Sequence, residues 1–78
     1  MDTKQLKESN LDGLFKLIDE VRERGNLFMI KYDGERADDF ITVLITFPVY
    51  ENKEIIRYDG NDLVELIQKA LMDFYETL

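Results

Sequence analysis

The chain has 78 residues, 45% hydrophobic and 12% aromatic, with 17 acidic against 10 basic side chains and a net charge of −7. That length suits one domain with a modest core, and the absence of cysteine and histidine excludes disulfides, thiol or imidazole catalysis and the usual zinc sites. The acidic balance disfavours direct binding to a nucleic-acid backbone, which is gripped by Lys and Arg; it favours solubility and permits binding to a basic protein surface.

Residues 1–8 are polar apart from Met1 and Leu6 and are expected to fray. They hold no apolar signal core, and no stretch of the chain approaches a membrane span, so a cytoplasmic protein is expected. A helix is predicted over 9–24. Ser9 followed by Asp12 resembles a capping box with Asp in place of Glu, and Asn10 is an alternative cap. Leu11, Leu14, Phe15, Ile18 and Val21 recur at three- and four-residue steps and predict its buried face, widened by Leu17. Arg22 and Arg24 suit the negative end of the helix dipole, and Gly25 suits the left-handed residue that ends a helix.

Residues 26–32 predict the first strand. The loop Asp33-Gly-Glu-Arg-Ala-Asp-Asp39 follows, with four carboxylates and one arginine. The second strand, 39–47, is the most β-prone run in the chain, and Pro48 stops it by removing a ladder donor. Period two puts Ile41, Val43, Ile45 and Phe47 on one face and Phe40, Thr42, Leu44 and Thr46 on the other. A turn over 48–52 leads to a third strand over 53–58, expected at the sheet edge because its charges discourage further pairing.

Asp59-Gly-Asn-Asp62 is expected to end the sheet and open the last helix, with Asp59 or Asn61 as cap and with Asp62 and Glu65 in the first turn. Leu63, Ile67, Ala70, Leu71, Phe74 and Leu78 predict its buried face, with Val64 and Tyr75 at the margin. The fold class is α+β: one domain over 9–78, ordered α-β-β-β-α, with an antiparallel three-stranded meander and both helices on its Ile41/Val43/Ile45/Phe47 face.

The catalytic inventory is thin. The one serine, Ser9, sits where a helix cap belongs, and an exposed loop gives carboxylates little of the desolvation that tunes them for acid–base work. No enzyme activity and no cofactor are expected. Asp33, Glu35, Asp38 and Asp39 lie close together but miss the spacing of a calcium-binding EF-hand loop, so no metal is expected either. The open sheet face, with Leu27, Met29, Phe40, Leu44 and Ile55, reads as a partner surface or as a homodimer contact. Double-stranded RNA-binding domains share the α-β-β-β-α order but put lysines at the start of the second helix. This chain has Asp59-Gly-Asn-Asp-Leu-Val-Glu65 there, the opposite charge.

Three stretches, Leu14-Phe-Lys-Leu-Ile-Asp-Glu-Val21, Phe40-Ile-Thr-Val-Leu-Ile-Thr-Phe47 and Ile55-Ile-Arg-Tyr-Asp-Gly-Asn-Asp-Leu-Val-Glu-Leu-Ile-Gln-Lys-Ala70, carry a resemblance to the small acidic type II-A anti-CRISPR proteins of phages. The chain resembles their compact type in element order and charge. It departs from that type in a shorter C-terminus and the lack of a clear third helix, and no binding residue of the family carries over. The resemblance implies a cytoplasmic inhibitor that binds a basic protein, a CRISPR effector nuclease, by imitating nucleic-acid phosphates. The expected footprint comprises Asp33, Glu35, Asp38, Asp39, Asp59, Asp62 and Glu65, with Glu51 and Glu54 extending it and Phe40 and Leu44 beside it. The alternative is a small assembly domain that homodimerises through its open sheet face.

Overall fold

In the computed structural model, which describes residues 10–78, helix α1 spans Leu11–Glu23. The expectations for residues 1–8 and for Ser9 as a cap lie outside the described residues. Asn10 caps α1, its Oδ1 accepting the N–H of Gly13 at 2.9 Å. The other end closes as a Schellman motif: Gly25 takes φ +89°, its N–H reaches the Arg22 carbonyl at 2.9 Å, and the Asn26 N–H reaches Val21 at 3.3 Å. Leu14 and Val21 are fully buried, and Leu11, Leu17 and Ile18 pack beside them. Phe15, predicted to be buried, is 48% exposed. It lies about 100° round the helix from Leu14, on the solvent side of the apolar stripe.

The sheet is the predicted antiparallel meander, with β1 (Leu27–Tyr32), β2 (Ile41–Thr46) and β3 (Ile56–Gly60) in the order β1-β2-β3. Register fixes its two faces. Phe28–Ile45–Ile56, Ile30–Val43–Tyr58 and Tyr32–Ile41–Gly60 form the rows beneath the helices; Met29–Leu44–Arg57 and Lys31–Thr42–Asp59 form rows on the open side. β3 therefore starts three residues later than predicted and runs two residues further. Asp59 and Gly60 continue the ladder to the start of β2, whereas residues 53–55 lie beyond its last pair, Ile45–Ile56. That shift resolves the adjacent isoleucines: Ile56 is buried in the core and Ile55 is exposed. Pro48 leads into a 3-10 turn, Val49–Glu51, closed by Asn52 at φ +52°.

Helix α2, Leu63–Glu76, crosses β2 and β3, while α1 packs against β1 and α2. Its cap is Asp62, whose Oδ1 accepts the Glu65 N–H at 3.3 Å, and neither Asp59 nor Asn61 takes that role. Leu66, absent from the predicted buried face, is buried with Ile67, Ala70, Leu71 and Phe74. Leu78 lies beyond the helix end and is exposed. Gly60 makes room for Leu66: a Cβ at 60 would sit 3.0 Å from its Cδ2. Phe74 is the hub of the core, stacked on Phe47 at 5.9 Å and meeting Tyr75 edge-on at 5.4 Å. Two tyrosines tie elements together, Tyr75 Oη donating to Glu20 of α1 at 2.9 Å and Tyr58 Oη of β3 donating to Asp73 of α2.

Candidate functional site at the acidic end of the sheet

Meander topology brings together two acidic segments that lie far apart in sequence. β1 ends and β2 begins at the sheet end where β3 also ends, because Ile41 pairs with both Tyr32 and Gly60. The 33–39 loop and the 61–65 start of α2 therefore share one edge of the molecule. Asn61 clamps them. Its Oδ1 accepts the Asp39 N–H at 2.7 Å, and its Nδ2 donates to Asp38 Oδ1 at 2.7 Å. Asp39 holds φ +50°, a left-handed conformation that Asp tolerates better than most residues.

The loop is also tied from within. Asp33 Oδ1 accepts the Glu35 N–H at 3.0 Å, an Asx turn, and its Oδ2 pairs with Arg36 Nε at 3.2 Å. Arg36 Nη1 in turn donates to the Asp39 carbonyl at 3.0 Å and reaches Asp59 Oδ1 at 3.6 Å. Asp59, on the open sheet face, accepts the Thr42 hydroxyl and both guanidinium donors of Arg57, at 3.2 and 3.4 Å. Thr42 is buried by this arrangement although its side chain belongs to the open face. The Glu35 N–H, then Arg36, hold the Asp33 carboxyl below its usual range; the Thr42 hydroxyl, then Arg57, do the same for Asp59.

The predicted carboxylates thus divide into two groups. Asp33 and Asp59 are ion-paired within the fold, and Glu65 pairs with Lys69 one turn along α2 at 2.9 Å. Among the described residues no lysine or arginine pairs with Glu35, Asp38, Asp39 or Asp62. Glu35, Asp38, Asp39 and Asp62 are exposed and stand at the same end of the sheet. Glu51 and Glu54, expected to extend the footprint, lie toward the opposite end, where β2 leaves for β3.

Phe40 precedes β2 rather than belonging to it. It is half-buried against the core with its ring 6.3 Å from Tyr32, so it does not join the open face with Leu44. Leu44 does lie there, half-buried between Met29 and Arg57. Asn61 and Arg36 are the organising residues that the sequence reading passes over. The Asp-x-x-Arg spacing of the loop signals Arg36, whereas Asn61 acts on positions 22 and 23 residues away and leaves no local signature.

No group of three or more Asp or Glu side chains among the described residues converges as a metal site requires, and no helix there is long and apolar enough to cross a membrane. What this surface offers chemically is a set of fixed acceptors for cationic donors. No protein-family model, curated protein or solved structure matches this chain.

Proposed function

We propose that the protein is a stoichiometric inhibitor, without catalysis, whose acidic end docks on a basic protein surface that otherwise holds nucleic acid. One observation carries this reading: Asn61 clamps two acidic segments into a single edge that displays Glu35, Asp38, Asp39 and Asp62, none of them paired with a cation among the described residues. Carboxylates so placed accept the bidentate bonds that arginine gives to phosphate. The resemblance to anti-CRISPR proteins puts a CRISPR effector nuclease first among the partners, since such enzymes read the protospacer-adjacent motif with arginines. The proposed action is in the cytoplasm of a bacterial cell.

Neutralisation without loss of shape tests this. In Glu35→Gln/Asp38→Asn/Asp39→Asn every replacement is nearly isosteric. The amide oxygen introduced at position 38 still accepts from Asn61, and asparagine tolerates the left-handed backbone at position 39. The wild type should compete with target DNA for the guide-loaded nuclease, and more weakly as salt rises. The triple variant should lose that competition while keeping its circular dichroism spectrum and melting temperature. Equal competition by variant and wild type removes the acidic end from the mechanism; no competition by the wild type removes the nuclease.

A second reading rests on the open sheet face, where Leu27 is 51%, Met29 41% and nearby Ile55 62% exposed. This reading is a homodimer through that face, which needs roughly 1,000 Å² of buried surface to be stable. Sedimentation of wild type and Met29→Lys separates the readings: a dimer abolished by the substitution supports assembly, and a monomeric wild type ends it.

A further inference from the structure

The start of β3, and the residues 53–55 that lead into it, lie at the opposite end of the sheet from the acidic site. β3 pairs with β2 on one side only, and among the described residues no strand lies on its other side. A groove of about 790 Å³ lies beside the first half of β3 and the residues leading into it, with residues 53–58 as one wall and Asp73 and Glu76 of α2, with Thr77 just past its end, as the other. That volume is within the range of about 300–1,000 Å³ typical of ligand clefts.

The charges in the groove are unequal in a way that their number conceals. Its two cations are engaged elsewhere: Lys53 Nζ sits 5.3 Å from the centre of the Phe47 ring, and Arg57 holds Asp59 across the open face. Asp73 accepts the Tyr58 hydroxyl, which brings no charge, and among the described residues no cation pairs with the groove's three acids, Glu54, Asp73 and Glu76.

We infer that this edge is a strand-addition site for an extended segment of a partner protein in which basic and apolar side chains alternate. The partner backbone pairs along residues 54–58. Side chains of a strand alternate between faces, so its lysines or arginines turn toward Asp73 and Glu76 of α2 while its apolar residues cover Ile55 on the open side. The charged residues on β3 guard the edge against indiscriminate pairing, and complementarity decides what is admitted. This inference stands apart from the acidic end and survives the failure of that reading.

The test is an amide-shift titration of the full-length protein with an acetylated, amidated Lys-Val-Lys-Val-Lys-Val-Lys peptide and its Glu-for-Lys counterpart. At about 0.1 M salt the basic peptide should shift the amides of 53–58 and 73–77 saturably, and the acidic one should not. Glu54→Lys/Glu76→Lys should weaken binding by about tenfold or more. Both sites are exposed, and a lysine near the end of α2 suits its dipole, so the variant folds. The neutralised acidic-end variant should bind the basic peptide as the wild type does. Shifts centred on 33–39 and 61–65, equal shifts with either peptide, no shifts at all, or undiminished binding by the lysine variant would each overturn the inference.

Discussion

Replacing Asn61 by alanine removes the two hydrogen bonds that join the 33–39 loop to the start of α2, each 2.7 Å long. One accepts from a backbone amide and the other donates to a carboxylate. Such bonds contribute net about 0.5–1.5 kcal/mol, or 1.5–3 kcal/mol when one partner is charged. Both are exposed here, where water replaces the lost partner, so the expected cost lies at or below the bottom of the combined range, about 1–2 kcal/mol together. In a domain of this size each kcal/mol moves the melting temperature by about 4–8 °C, so Asn61→Ala should melt roughly 5–15 °C lower while remaining folded at room temperature. The loss should also be local. The Asp39 amide, held at φ +50° by Asn61, should exchange faster with solvent, while amides of β2 keep their protection. Asn61→Asp should be worse than alanine at neutral pH, because a carboxylate cannot donate to Asp38 and repels it. Thermal unfolding followed by circular dichroism and amide exchange followed by NMR measure both effects. A melting temperature within about 1 °C of wild type, with unchanged Asp39 exchange, would refute the clamp.

Acid should erode stability through Asp33 and Asp59, whose folded pKa values lie below their unfolded ones. A depressed carboxyl stabilises the fold above the unfolded value of about 3.9, and that stabilisation is lost as pH falls through the folded pKa. Asp33→Asn/Asp59→Asn should flatten the dependence of urea stability on pH below about 4. At the alkaline end Tyr58, through its bond to Asp73, and Tyr75, through burial and Glu20, are pushed up to about 12. A raised tyrosine stabilises below its unfolded pKa of about 10, so stability should decline as pH climbs from there toward 12, less steeply in Tyr58→Phe/Tyr75→Phe. Gly60→Ala should destabilise by about 1–3 kcal/mol, read as a lower urea midpoint, because the new Cβ meets Leu66 Cδ2 at 3.0 Å.

The element order and sheet faces are legible in the sequence because local signals agree with the tertiary outcome. Ile41, Val43 and Ile45 alternate into the core as period two dictates, and Gly25 ends α1 as its backbone freedom suggests. The misplacements have separate causes. Strand β3 runs past its expected end because Asp59 and Gly60 look like turn residues, yet β2 has Thr42 and Ile41 waiting to pair with them. Ladder pairing and the Thr42–Asp59 bond outweigh the local preference for a turn. Phe15 and Leu78 are exposed against expectation because periodicity gives the stripe but not its width or the helix end. Convergence of the loop and the α2 start follows from any up-down-up meander. Arg36–Asp33 and Arg57–Asp59 are local pairs at three- and two-residue spacing, whereas the reach of Arg36 to Asp59 joins the loop to β3 and leaves no local signature.

That division by the arginines separates two roles often credited to one acidic patch. Asp33 and Asp59 hold the loop and the open face in shape, so changing them should alter the pH dependence of stability more than partner affinity. Asp38 and Asp39 carry charge outward from a position fixed by Asn61, and Glu35 from the turn closed by Asp33, so neutralising them should alter affinity and its salt dependence more than stability. A simple count of acidic residues predicts neither contrast. If charge acts only through its total, one carboxylate is as good as another and the two sets of variants behave alike. If the clamp is what turns acidity into recognition, the sets behave oppositely, and Asn61→Ala loses affinity as well as stability: it carries the full charge yet presents it on a loosened loop and binds more weakly.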